Sequence, residues 1–277
     1  NITDSAFANT NATLAASDLK NIGNATSGVV TLDNAVRVSG TAADVTAALV
    51  TEASKVVAGA SGTIANVTTT VTALQGAGYT TINNVNATFS NGVEDSIQNL
   101  TKSSTEISDN LNTITTFDTT TSVTVNDAAF ANTEANIAAT KLSAIGNSTT
   151  GTVTVTNAVK ITGSQSDVTA ALVTEASQVT ASSALVTISD AAFANTNSTI
   201  AASDLKNIGN ATSGAVSVTN LVKVTGTQSD VTAALVTEAS QVTFSAANTL
   251  VDVTSSVTAA QGQAIAGTTN VAAGFSG

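Results

Sequence analysis

The sequence predicts a β-rich solenoid with short α-helices, in which β-α coils stack their strands into a parallel sheet. Three observations predict it. An eleven-residue run, DVTAALVTEAS, recurs unchanged at Asp44–Ser54, Asp167–Ser177 and Asp230–Ser240. Each copy lies in a longer shared block that alternates strand-like and helix-like patterns. The apolar residues, 42% of the chain, are mostly Ala and Val, with aromatics at only 3%. Such small side chains suit thin layers packed closely. An all-β repeat array of sandwich-like units is the alternative.

Block A spans residues 1–57, block B 125–186 and block C 187–243. Asp4, Asp127 and Asp190 correspond across the blocks, as do Gly23, Gly146 and Gly209. Val186–Asp190 alternates as a strand does. Residues 201–209 read as a short helix ended by Gly209. Residues 215–219 and 221–225 are β-rich, and Gly226-Thr227 opens a further helix. Thr227 with Asp230 three residues on resembles a capping box. Val231, Ala234 and Leu235 then share one helical face. Residues 241–244 return to strand. Coils of roughly 26 to 29 residues follow, the size of one β-α solenoid turn. An eight-residue remainder near Ser182–Ala184 reads as a bulge or a coil corner.

A divergent spacer occupies 58–124, and 244–277 begins the next, so that the whole is one continuous array. Residues 1–91 align with 187–277 at a constant offset of 186: Gln75-Gly76 meets Gln261-Gly262, and Phe89-Ser90 meets Phe275-Ser276. The expectation is a segment of a longer array, or ends completed by a neighbouring subunit. In the spacer, Val93, Ile97, Leu100, Ser104, Ile107, Leu111 and Ile114 are separated by four and three residues in turn. That spacing predicts an amphipathic helix over about 93–114. Its apolar members, Val93, Ile97, Leu100, Ile107, Leu111 and Ile114, need a partner. Either they pack on the flank of the array or they form an assembly face between molecules.

Composition excludes several function classes. The chain has no His, Cys, Met, Pro or Trp, which removes the imidazole base, the thiol nucleophile and the usual Zn ligands. No dyad has catalytic spacing, so no enzyme activity is expected. Net charge is −11 with few Lys and Arg, which argues against nucleic acid and against an anionic membrane surface. No apolar run approaches the roughly 20 residues of a membrane helix.

The recurring residues read mainly as structural ladders. Asp44, Asp167 and Asp230 are expected to cap helices, and Glu52, Glu175 and Glu238 to lie on a solvated face; stacked carboxylates binding Ca²⁺ are the alternative. Asp18 and Asp204 recur, but Lys141 stands there in block B, an exchange that a metal ligand would not tolerate. Arg37, Lys160 and Lys223 keep a cation at one position, expected to face the acidic row. Phe7, Phe130 and Phe193 are expected as stacked core residues, with glycan stacking as the alternative. Asn9, Asn132 and Asn195 are expected to form a side-chain amide ladder. Nine Asn-x-Ser/Thr triplets, including Asn24, Asn147 and Asn210, match what so much Asn, Ser and Thr gives by chance.

A strand ending in Ser-Asp, then LAASDLKNIGNATSG, a Val-rich strand and TGTQSDVTAALV make up the repeated pattern. It resembles the tandem repeats of very large secreted surface proteins of cyanobacteria and other aquatic bacteria, which often sit beside haemolysin-type calcium repeats. The resemblance covers the three blocks. It implies an extracellular or cell-surface role in adhesion, a sheath or a filament. The calcium nonapeptide GGxGxD does not occur in this sequence. The expected function is therefore a structural repeat protein of an extracellular filament, sheath or surface layer, self-associating into a homopolymer without a cofactor. The alternative is an adhesin segment that binds carbohydrate or calcium.

Overall fold

The computed structural model describes residues 1–51, 56–174, 179–196, 199–237 and 242–277. They fall into two compact units: Asn1–Val125 with Ser148–Thr152, and Asn126–Asn147 with Val153–Gly277.

The first unit repeats a strand–helix–strand step. After α1 (Phe7–Thr10) come β1 (Thr13–Ala15), α2 (Ala16–Asn24) and β2 (Val30–Leu32). Next are β3 (Arg37–Gly40), α3 (Ala42–Val45) with a π-helical turn over Thr46–Val50, and β4 (Val56–Ala58). The third step is β5 (Thr63–Val67), α4 (Ala73–Thr80) and β6 (Val85–Phe89). The last is β7 (Val93–Asp95), α5 (Ile97–Leu100), α6 (Asp109–Phe117) and β8 (Val123–Val125). Among the described residues β1, β3, β5 and β6 form one sheet in that order, β2 pairs with β4, and β7 pairs with β8. Each of these pairings is parallel.

The second unit continues the pattern with α7 (Phe130–Thr133), β9 (Asn136–Ala138), α8 (Ala139–Gly146) and β10 (Val153–Val155). Then come β11 (Lys160–Gly163), α9 (Gln165–Leu172), β12 (Val179–Thr180), β13 (Leu185–Ile188) and α10 (Phe193–Thr196). They are followed by β14 (Thr199–Ala201), α11 (Ala202–Ala211), β15 (Val216–Val218), β16 (Lys223–Gly226) and α12 (Gln228–Leu235). The unit ends with β17 (Val242–Phe244), β18 (Thr249–Val253), α13 (Ala259–Ala266) and β19 (Val271–Phe275). Among the described residues one sheet runs β17-β15-β13-β11-β9, a second runs β14-β16-β18-β19, and β10 pairs with β12. These pairings too are parallel.

Parallel neighbours need a crossover of about a dozen residues or more, which a tight turn cannot supply. Here short helices supply it. Paired residues lie from 22 apart in sequence (Thr63 with Val85) to 30 (Val186 with Val216). The strands alternate as their sequences do: in β8, β10 and β15 the two Val residues point inward and the residue between them is half-buried. The core repeats with the sequence. Leu19, Leu142 and Leu205 are buried at one repeat position, and Val38, Ile161 and Val224 at another. Helices start where hydroxyls can cap them. Thr41, Ser164 and Thr227 each accept a bond from the N–H of the Asp three residues on. The chain is thus α/β, with parallel sheets and short helices compatible with a β-α repeat. The parallel pairing and the helices set aside the all-β alternative. Among the described residues no helix is long and apolar enough to cross a membrane.

The helix expected over 93–114 is corrected. Val93 belongs to strand β7, and the helical residues divide into α5 and α6. Between them Thr101 bridges Ile107 in antiparallel fashion, and Lys102 N–H donates to Glu106 O at 3.0 Å. The run Thr-Lys-Ser-Ser-Thr-Glu (101–106) explains the break, because its hydroxyls compete with helical hydrogen bonds. Ser108 then restarts the helix by accepting from Leu111 N–H at 3.2 Å. Val93, Ile97, Leu100, Leu111 and Ile114 are all buried within the first unit, and Ile107 is half-buried. They form core, not an exposed assembly face. The remainder near Ser182–Ala184 is a turn closed by Ala184 N–H donating to Ala181 O at 3.1 Å.

Candidate functional site

The recurring polar side chains join one repeat step to the next. Lys20 Nζ lies 2.6 Å from Asp44 Oδ1, and Lys206 Nζ lies 2.6 Å from Asp230 Oδ1. The second carboxylate oxygen of each Asp accepts from the hydroxyl of its capping residue, Thr41 at 3.0 Å or Thr227 at 2.9 Å. Ser143 stands at the Lys20 position in block B. Asp167 there turns to Ser164, accepting from its Oγ at 2.7 Å and its N–H at 3.2 Å.

The cation row does not face the acidic row. Arg37 lies over the Phe7 ring at 5.3 Å, Lys160 over Phe130 at 4.8 Å and Lys223 over Phe193 at 5.9 Å. Lys223 also reaches Asp252 at 3.4 Å. The three Phe residues are half-buried beneath these cations, not stacked in the core. They sit on α1, α7 and α10, one-turn helices whose start the sequence did not signal. Each such contact contributes about 0.5–1 kcal/mol at an exposed site.

The amide ladder runs through different residues. Asn9 and Asn132 are exposed, and the Asn195 side chain lies outside the described residues. Asn34, Asn157 and Asn220 instead donate to the backbone carbonyls of Asp4, Asp127 and Asp190 at 2.7–2.8 Å. Asn84 and Asn270, both left-handed at φ 63 and 64, donate to Ala58 O and Phe244 O. The block alignment already aligned these positions.

A second recurrent device was not legible beforehand. The first helical N–H of α3, α4, α9 and α12 is capped by a side chain from the following step. Ala42 donates to Thr69 Oγ1, Ala73 to Asp95 Oδ2, Gln165 to Asp190 Oδ2 and Gln228 to Ser255 Oγ, all at 2.6–3.1 Å. Gln165 Nε2 also donates to Asp204 Oδ2 at 3.0 Å, so Asp204 serves a neighbouring helix. Glu52, Glu175 and Glu238 lie outside the described residues.

No family model, curated protein or solved structure matches this chain. What the arrangement can do must therefore come from its chemistry. Among the described residues no group of three or more acidic side chains could hold a metal ion. Among the described residues each unit has a shallow cleft. One of about 700 Å³ is lined by Thr41, Thr46, Thr69 and Gln75 among others. The other, about 570 Å³, is lined by Leu235, Val236, Phe244 and Thr268 among others. Neither lining contains an ionisable side chain.

The Lys–Asp pairs make acid stability a test. The Asp44 and Asp230 carboxyls are held below the ordinary value, chiefly by the hydrogen bond from Lys20 or Lys206 and next by that from Thr41 or Thr227. A depressed folded pKa contributes stability that is fully present above the unfolded value of about 3.9 and lost as pH falls through the folded one. Urea midpoints measured from pH 6 downward should fall in that window. Lys206→Met should flatten the fall, and an unchanged slope would show that the pair is not what sets it.

Proposed function

We propose that the chain is a structural repeat protein of an extracellular filament, sheath or surface layer, with each unit a stretch of β-α solenoid. It self-associates into a homopolymer through end-to-end or edge contacts. The use of the recurrent side chains carries this proposal. Lys20–Asp44, Lys206–Asp230, the Asn34–Asn157–Asn220 row and the four cross-step caps tie repeat to repeat, and of these only the Ala42–Thr69 cap borders either cleft described above. Among the described residues β6 is an end strand of its sheet, and the edges of sheets are where other chains can pair. A contact between unlike faces of two copies generates open filaments when its rotation does not close.

Sedimentation velocity and electron microscopy over a concentration series test the proposal. Assemblies that grow with concentration are expected, and a monodisperse monomer at the highest concentration would refute self-association. An adhesin segment binding carbohydrate or calcium is the second reading, and the net charge of −11 favours the cation. A calcium-dependent fold loses thermal stability when a chelator is added. The structural role proposed here expects an unchanged Tm in the same experiment.

A further inference from the structure

Ala42, Gln165 and Gln228 occupy one repeat position, and the two glutamines show what that position does when it carries an amide. Gln165 Nε2 donates to Thr169 Oγ1 at 2.8 Å and to Asp204 Oδ2 at 3.0 Å. Its amide thus bridges α9 to the third residue of α11. Gln228 Nε2 makes the same bond to Thr232 Oγ1 at 2.8 Å. Thr46 is the block A counterpart of Thr169 and Thr232. Gln75 is the third residue of α4, as Asp204 is of α11.

In block A the bridging amide is missing, because Ala42 has none to give. Thr46 and Gln75 instead line the cleft of about 700 Å³, with Ala42, Ala43, Ala47 and Thr69 among its other walls. Tyr79 OH donates to Ala42 O at 2.8 Å, so in the 2.7 Å contact between Thr46 Oγ1 and Tyr79 OH the threonine is the donor. Thr46 Oγ1 therefore keeps a lone pair for a further N–H or O–H. Gln75 Oε1 accepts from Thr72 N–H at 3.1 Å, which fixes the amide, and its Nε2 has no hydrogen-bond partner among the described residues. The cleft thus offers one acceptor, one donor and three alanine methyls, without an ionisable group.

We propose that this cleft binds an N-acetylated sugar, whose acetamido group takes the place that the glutamine amide holds in the other blocks. The acetamido N–H donates to Thr46 Oγ1, its carbonyl accepts from Gln75 Nε2, and its methyl lies among Ala42, Ala43 and Ala47. The volume falls in the range of small-molecule sites and exceeds what an amide alone fills, which leaves room for the sugar ring beside Thr41 and Thr69. An extended peptide is the poorer fit: β3, which leads into the cleft, is already paired with β1 on one side and β5 on the other, so it offers no strand edge. The site goes beyond the structural reading, which stands or falls on sedimentation alone.

The test titrates the whole 277-residue protein with N-acetylglucosamine and with glucose, read by NMR shifts of the backbone and of the Gln75 side-chain amide. Saturable shifts at Thr46, Thr69 and Gln75 are expected with N-acetylglucosamine, and binding at least about tenfold weaker with glucose. Ala42→Gln installs the residue of the other two blocks. It should abolish binding while leaving circular dichroism unchanged and Tm no lower. Gln75→Glu keeps the capping acceptor and removes the donor, and it should weaken binding at least about tenfold. Absence of saturable binding, equal binding of glucose, or binding indifferent to Ala42→Gln overturns the proposal. A glutamine-containing peptide that displaces the sugar at lower concentration than the sugar itself binds would also overturn it, by giving the cleft to a protein partner.

Discussion

Replacing Tyr79 by alanine is expected to destabilise the first unit by about 3–5 kcal/mol, the usual cost of deleting a buried aromatic. Tyr79 is buried on α4, with its ring centroid 6.3 Å from that of Phe89. Its hydroxyl donates to Ala42 O at 2.8 Å and lies 2.7 Å from Thr46 Oγ1, so one side chain ties α4 to the preceding helical step. Tyr79→Phe keeps the packing and removes only these bonds, at about 1 kcal/mol. The phenol pKa is raised by burial, against a smaller lowering by the Thr46 bond. A raised folded pKa means stability that is full below the unfolded value of about 10 and lost as pH climbs through the folded one. Tyr79 is the one tyrosine of a chain without Trp, so phenolate absorbance reads its site directly. In an alkaline titration absorbance should rise late and together with loss of circular dichroism. An early rise with the fold intact would mean the ring is not enclosed as described.

Much of this fold was legible because its contacts recur with its sequence. The repeat alignment placed Leu19, Leu142 and Leu205 at one position, and the Thr227–Asp230 spacing announced a helix start. The seam at 93–114 misled for a physical reason. A spacing of four and three marks residues that share a buried side, and a strand, a turn and two short helices wrapped around one core can share a side as one helix does. The decisive signals were polar: Ser108 ahead of α6, and the hydroxyl-rich 101–106 run. Asp95 shows what a sequence cannot carry. Its carboxylate accepts from Ala73 N–H, Ser96 N–H and the Asn99 amide, and the first of these is 22 residues away. The cations over Phe7, Phe130 and Phe193 were hidden likewise, since opposite charge made the acidic row the obvious partner. The acidic row was already engaged by Lys20 and Lys206.

Gly28, Gly151 and Gly214 occupy one repeat position, and alanine there should have sharply different effects. Each N–H donates to the hydroxyl two residues earlier, of Thr26, Thr149 or Thr212, at 2.9–3.0 Å. Thr149 and Thr212 pass the bond on, to Thr121 O and Ala184 O, both at 2.6 Å. That brings the glycine hard against backbone. A Cβ on Gly214 would lie 2.2 Å from Ala184 O, and one on Gly151 would lie 2.3 Å from Thr120 O. At Gly28 the nearest atom is Thr26 Oγ1 at 3.6 Å, ordinary contact. Gly214→Ala and Gly151→Ala are each expected to cost about 1–3 kcal/mol from overpacking. In the chain of residues 1–277, tested as such, Gly28→Ala should be neutral, or stabilising by about 0.4–1 kcal/mol through a less free unfolded chain. None of the three has a positive φ, so backbone conformation cannot supply the difference. Urea unfolding of the three single variants decides the matter. Equal effects would mean that the glycine serves its own turn alone. The expected inequality would mean that the repeat keeps glycine there because neighbouring steps of chain approach to within touching distance, so that the sequence period records the stacking itself.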